Sequence, residues 1–326
     1  MKIILYQCPF VPAEWIFAHG FHPMRIVPSR RIPTGSPLIK EGICSFVTAF
    51  INHLCAENSV QGIIITTSCD QMRRAAELIP ELFKKPLFLM NVPSTWQTKI
   101  PVAIYKNELE RLSSFLVRLG GNKTSIQKLS KVMARFEQKR TQLLSQRNQF
   151  SPRKFSEALD AFQRLGTVCR PPPPPFIQKK GIPVALVGGS MLSAYYPIFD
   201  LIESFGGFVT LDATSTGERT LPAPFDSEKV ADDPFSALVL GYFGNIPEIF
   251  QRPNSRLYDY LAGKISERGI RGIILLRHLW CDKWHAEVHR MKQFFDLPLI
   301  DIEYTEGENL PVRTITHIQS FMEMLR

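Results

Sequence analysis

No apolar run among the 326 residues reaches the roughly 18 positions that a membrane-crossing helix needs, which predicts a water-soluble chain. The opening stretch, Met1 to Cys8, has one short apolar patch, too little for a signal peptide, and Gln7 before Cys8 suits a lipoprotein cleavage site poorly. A cytoplasmic protein is therefore expected. Six cysteines in a reducing compartment are poor candidates for three disulfides. They are expected as core residues, metal ligands or catalysts. There is no short internal repeat and no sign of long disorder, because 44% of the residues are hydrophobic and 21% charged. Val187-Gly188-Gly189-Ser190 lies between an expected strand and an expected helix, where backbone amides can hold an anion. It lacks the lysine of a P-loop and the full dinucleotide fingerprint, so a tight turn is the plainer reading. No Ser-His-Asp set can be ordered from the sequence.

Acidic residues are also in short supply: 30 against 39 basic ones, a net charge of +9. The imbalance is local. Residues 121 to 154 hold nine Lys or Arg and one acid, Glu137, a net +8, and the rest of the chain is nearly neutral. That is not the spread basic surface of a nucleic-acid binder. Ile126, Leu129, Met133, Phe136, Leu143 and Leu144 recur at helical spacing, which predicts an amphipathic helix with a basic outer face. A solvated face is one reading of it. Docking of an acidic partner or a phosphorylated ligand is the other.

What is present is strand–helix alternation. Strands are expected at Lys2–Gln7, Gly62–Thr67, Pro86–Val92, Val184–Val187, Gly207–Asp212, Gly272–Leu279 and Pro298–Glu303. Helices are expected at Pro12–His19 (ended by Gly20), Ser36–Ala56, Gln71–Leu78, Glu108–Leu119 and Ser156–Leu165. Five prolines, Pro171 to Pro175, form an extended spacer of about 3.1 Å per residue. The pattern is α/β: two doubly wound domains with parallel sheets plus a helical basic segment. The expected boundaries are 1–170 (basic segment about 121–168), a linker at 171–182, and 183–326.

Three cysteines follow expected strands and precede expected helices: Cys8, Cys69 and Cys281. In open α/β sheets, ligands bind at the carboxyl ends of strands, and helix N-termini favour thiolates. Cys69-Asp70 and Cys281-Asp282 repeat one arrangement, each Asp a natural helix cap. Three thiolates at long spacing suit an iron–sulfur cluster with one iron left open. Simple burial is the alternative. A zinc site on one helix face, from Cys281, His285 and His289, is another. Cys44 and Cys55 share a face of an expected helix and are expected in the core. Cys169, before the proline run, is expected outside any core site. His19 and His22 flank a glycine turn and are expected to be structural.

Cys8-Pro9-Phe10-Val11-Pro12-Ala13-Glu14, followed by Ala18-His19-Gly20-Phe21-His22-Pro23-Met24-Arg25-Ile26, resembles the opening motif of the 2-hydroxyacyl-CoA dehydratase family. That family includes benzoyl-CoA reductase subunits and double-cubane cluster proteins. Further matches are Glu41 to Phe50 around Cys44, then Thr67-Ser68-Cys69-Asp70 with Arg73 and Arg74. In the second half they are Leu186 to Ser190, Gly206 to Asp212, Gly217, Arg219 and Trp280-Cys281-Asp282. The resemblance implies two flavodoxin-like domains and a 4Fe–4S cluster on Cys8, Cys69 and Cys281, with Cys44 as an additional candidate and an 8Fe–9S double cubane as the larger alternative. It implies a homologous sister subunit, in a hetero- or homodimer, an ATP-dependent iron–sulfur activator protein and an acyl-CoA substrate. The implied reaction is radical elimination of water from a 2-hydroxyacyl-CoA after one-electron reduction. A benzoyl-CoA reductase-like or double-cubane reductase, or a non-catalytic electron relay, are the alternatives. Glu14, six residues after Cys8, is the candidate for catalytic proton transfer; a first-turn helix acid favoured by the dipole is its other reading. The sequence departs from the family in having little before Cys8, a proline run and the basic segment.

Overall fold

The computed structural model describes residues 2–28, 42–56, 59–171, 181–304 and 310–326. In the first half, β1 (Ile3–Tyr6), α1 (Ala13–Ala18), β2 (His22–Arg25), α2 (Ser45–Ala56), β3 (Val60–Thr66), α3 (Asp70–Leu82), β4 (Leu87–Met90) and α4 (Lys99–Arg118) lead to α5 (Ile126–Ser145) and α6 (Pro152–Leu165). The second half runs β5 (Ile182–Gly188), α7 (Pro197–Ser204), β6 (Gly207–Thr214), α8 (Ser227–Asp232), α9 (Pro234–Val239), α10 (Ser255–Glu267), β7 (Gly272–His278), α11 (Asp282–Phe294), β8 (Leu299–Tyr304) and α12 (Val312–Met324). β3, β5 and β7 are almost wholly buried, as runs rich in Ile, Leu and Val must be when helices cover both faces.

Each half forms a four-stranded parallel sheet with the same strand order, β2-β1-β3-β4 and β6-β5-β7-β8. The two doubly wound α/β sheets match the expected architecture. In each, the order reverses beside the first strand, between β1 and β3 and between β5 and β7. Ligands bind at this topological switch point, beyond the carboxyl ends of the strands.

The halves share their cores. Residues of α2 and α3 pack in one cluster with Leu186, Tyr195 and Leu276, and residues of α9 join the cluster built around β1 and α4. The basic helix α5 packs against α1 and α9, while α6 lies against β2, α7 and β6. One face of α5 is therefore packed inward, and the opposite face stays exposed. Leu129, Met133 and Leu143 are buried as its periodicity predicts, while Ile126 and Leu144 stay exposed.

Three sequence expectations shift, and the first is that α4 starts at Lys99 rather than Glu108. β2 was not anticipated, because Pro23 lies within it; β2 is an edge strand, where a missing N–H donor is tolerated. The helix expected from Ser36 starts at Ser45, with 42–44 non-helical and 29–41 outside the described residues. Residues 172–180, most of the expected linker, also lie outside them.

Candidate metal centre

At the two switch points, corresponding positions carry corresponding residues. Cys8 stands two residues past the end of β1, and Ser190 stands two past the end of β5. Cys69 stands three past β3, and Cys281 three past β7. Cys69 and Cys281 are the N-cap residues of α3 and α11. Asp70 and Asp282 are thus the first helical residues, one position later than the caps expected from sequence. Neither cap is closed by a side-chain hydrogen bond, which leaves first-turn N–H groups facing sulfur.

Cys8, Cys69 and Cys281 line one cavity of about 140 Å³, and Cys44, just before α2, lines it too. This volume holds about ten water-sized groups, enough for a compact inorganic centre. Backbone N–H groups of Phe10, Val47, Met72 and Trp284 lie close enough to favour the thiolate form of one sulfur each. The Cys8 thiol also meets Ser68 Oγ at 3.2 Å, and Ser68 Oγ meets Thr66 Oγ1 at 2.7 Å.

The cavity is stitched across the two sheets. Gln7 Nε2 donates to Ser190 Oγ at 2.8 Å, and Lys283 Nζ donates to the Ser68 carbonyl at 2.7 Å. His278 contacts Ser45 Oγ through Nδ1 at 3.0 Å and the Ser190 carbonyl through Nε2 at 2.7 Å. The carbonyl can only accept, so Nε2 carries the proton. Burial pulls His278 down to about 4, so it is neutral near pH 7. At the cavity wall, Glu248 pairs with the buried Arg219 at 2.9 Å.

All four thiols are pushed above their ordinary range, first by burial. Cys44 rises to about 12, helped by the nearby Cys69, and Cys281 to about 11. Cys8 and Cys69 shift the same way, although Ser68 and backbone N–H groups oppose the effect at Cys8, and the Met72 N–H and Lys283 oppose it at Cys69. The helix N-termini therefore do not make free thiolates here, contrary to the expectation from sequence. Desolvation outweighs them, and a bound cation would have to displace the protons.

Other candidates fall elsewhere. His285 and His289 are exposed on α11 while Cys281 faces the cavity, so the zinc face is not assembled. Among the described residues no three His, Cys, Asp or Glu converge as ligands of a single ion. A cluster sets a different geometric demand, since each thiolate binds its own iron. The Gly188-Gly189-Ser190 segment is a tight turn whose Gly189 N–H is bonded to the Leu276 carbonyl at 3.0 Å, not free to cradle an anion. A Cβ at Gly188 would stand 1.9 Å from that same oxygen, and φ there is +146°. Cys169 packs against the separate Phe150–Phe162 cluster. The Cys55 side chain lies outside the described residues.

Glu14 is fully buried but lies off the thiol cavity wall. Its carboxylate accepts from Arg140 of α5 at 3.3 Å and from the Tyr242 hydroxyl at 2.5 Å. Lys283, His278 and the Arg219–Glu248 pair were not singled out as site residues from sequence. The repeated Cys-Asp at strand ends was the available signal, since Lys283 directly follows the second copy.

Fold and site define a two-sheet α/β protein with a cysteine-lined cavity between facing switch points. The chain belongs to the family described as 2-hydroxyglutaryl-CoA dehydratase, D-component, whose model matches residues 8–325. It is thus a subunit of the 2-hydroxyacyl-CoA dehydratase type. Among curated proteins, none matches the chain. Among the described residues no helix is long and apolar enough to cross a membrane.

Proposed function

We propose that the chain is the iron–sulfur subunit of a 2-hydroxyacyl-CoA dehydratase-type lyase, with a 4Fe–4S cluster held by Cys8, Cys69 and Cys281. The observation that carries this reading is that four distant segments each deliver a cysteine to one small cavity. The donor set fits the group: sulfur ligands, N–H donors to sulfur, and burial. When bound, such a cluster supplies one-electron reducing power and an open iron that acts as a Lewis acid.

The chain's own residues hold and insulate. The cysteines give up their protons on loading. Lys283, with no carboxylate partner among the described residues, offsets part of the negative charge beside Cys69 and Cys281. Neutral His278 ties α2 to the β5 turn and keeps the walls together. Glu14 anchors α5 through Arg140 in this reading, because both its oxygens are engaged away from the cavity.

The substrate in this reading is an acyl-CoA, and the setting is the cytoplasm. The partners are a homologous sister subunit and an ATP-dependent iron–sulfur activator. The half-exposed Leu279 and Trp280, just before Cys281, offer an apolar rim for docking at the cavity mouth. The presence of Cys44 on the wall favours one second reading, a larger double-cubane centre of the reductase type.

The test is iron and acid-labile sulfide content after anaerobic reconstitution. About four irons per chain are expected for a cubane, lost in Cys69→Ser and retained in Cys44→Ser. Iron near eight, lost in Cys44→Ser, supports the larger centre. Colourless, iron-free protein refutes both.

A further inference from the structure

A second cavity, of about 300 Å³, lies on the other side of the Tyr6–Pro9 segment and shares Pro9 with the thiol cavity. Four cations reach its wall, Arg25, Arg135, Lys139 and Arg140, and no Asp or Glu among the described residues does. Three of these cations have no carboxylate partner there. Arg25 is buried, yet among the described residues its guanidinium donates to neutral oxygens: Gln7 O at 2.7 Å, Thr220 Oγ1 at 2.9 Å and Ser215 O at 2.7 Å. Arg135 lies over the Phe17 ring at 5.5 Å. Lys139 Nζ donates to the Gly166 carbonyl. Arg140 is paired to Glu14 and Glu137, but its buried Nε has no acceptor, and neither does Nε2 of Gln163 on the same wall. The remaining wall is apolar, with Phe136 and Phe162 prominent.

A buried guanidinium with no carboxylate in contact is costly, and Glu248 acts on Arg25 only from beyond hydrogen-bond reach. Burial and the neighbouring Arg135 both hold Lys139 below the usual lysine range, another sign of uncompensated positive charge. The basic segment singled out in the sequence thus turns three of its cations onto one pocket.

We propose that this cavity binds an amphipathic organic anion, with a carboxylate or phosphate head among Arg135, Lys139 and Arg25 and an apolar body of up to about twenty heavy atoms against the phenylalanines. The inference needs neither a cluster nor the dehydratase reading, and the experiment is done on the full chain without reconstitution.

Isothermal titration with octanoate and with adenosine 3′,5′-bisphosphate separates the two kinds of head group. Octanamide and inorganic phosphate are the controls. One of the two organic anions should bind one to one, and octanamide should bind at least about tenfold more weakly. Arg135 and Lys139 are not core residues, so Arg135→Met with Lys139→Met should leave the fold intact and weaken binding about tenfold or more, while Lys139→Arg retains it. The proposal is overturned if neither organic anion binds at millimolar concentration, if inorganic phosphate binds as tightly, or if the double variant binds like the parent.

Discussion

Replacing Glu14 separates an anchor from a catalyst. The carboxylate is 0% exposed and its partner Arg140 is 4% exposed, with 3.3 Å between them. Removing one member of a buried pair costs about 3–5 kcal/mol, because the other charge stays buried. Arg140 keeps Glu137 at 2.5 Å and the face of Phe225, so the lower end applies to Glu14→Ala, about 3 kcal/mol. Glu14→Gln keeps the shape and one acceptor for Tyr242, and loses about 1.5 kcal/mol, the lower worth of a hydrogen bond to a charged group. For a chain of this length each kcal/mol moves the thermal midpoint by about 2 °C. The expected drops are about 6 °C for Ala and about 3 °C for Gln, read by circular dichroism. Iron content after reconstitution should be near normal in Glu14→Gln, because the carboxylate does not line the thiol cavity. A Glu14→Gln protein that melts with the parent, yet loses turnover in the assembled system, would refute the anchoring account and return Glu14 to the chemistry.

Gly188→Ala should abolish soluble protein, since its Cβ meets the Leu276 oxygen at 1.9 Å, whereas Gly263→Ala, in an open helical position, should add about 0.5–1 kcal/mol. Normal expression of Gly188→Ala would show that the turn yields. His278 has a folded pKa below its unfolded one, so its contribution is intact above about pH 6.5 and is lost as the pH falls through about 4. Urea midpoints between pH 7 and 4.5 should fall less steeply in His278→Gln than in the parent; equal slopes would contradict the buried neutral imidazole. The thiols work in the opposite direction. With Cys281 raised from 9.0 to about 11 and Cys44 to about 12, stability is intact below about pH 9 and declines as the pH climbs through those values. Iodoacetamide at pH 8 should label both far more slowly in native protein than in urea, and matched rates would remove the desolvation argument.

Much of this was legible in the sequence, for identifiable reasons. Ile63-Ile64-Ile65 and Ile273-Ile274-Leu275-Leu276 are long apolar runs that only a doubly covered strand accommodates, and the cysteines that end such strands had to lie along one edge of a sheet. The short edge strand β2 escaped because four residues containing a proline carry almost no periodic signal. The protonation of the thiols was misjudged, since the local benefit of a helix N-terminus is visible in sequence and the depth of burial is not. In the sequence Glu14 reads as an acid six residues after a cysteine. Its partners, Arg140 and Tyr242, come from 126 and 228 residues away, and nothing local announces them.

The matched strand orders give the site its form. Two sheets of identical order face each other at their switch points, and four strand ends meet there at matched offsets. Three carry cysteine, and the fourth carries Ser190. Ser190 is fixed rather than idle: its hydroxyl accepts from Gln7 and its carbonyl from His278. A symmetric four-thiolate shell would fill every corner of a cubane and leave no iron for an exogenous ligand. In the proposed cluster reading, a hydroxyl already held by protein at the fourth strand end would leave Cys8, Cys69 and Cys281 as the symmetric set of ligands and one iron without a protein thiolate. Cys44 arrives from outside this symmetric set, from the start of α2. In the proposed reading its sulfur distinguishes a cubane with an open corner from a larger centre, which is why Cys44→Ser is the variant that separates the two.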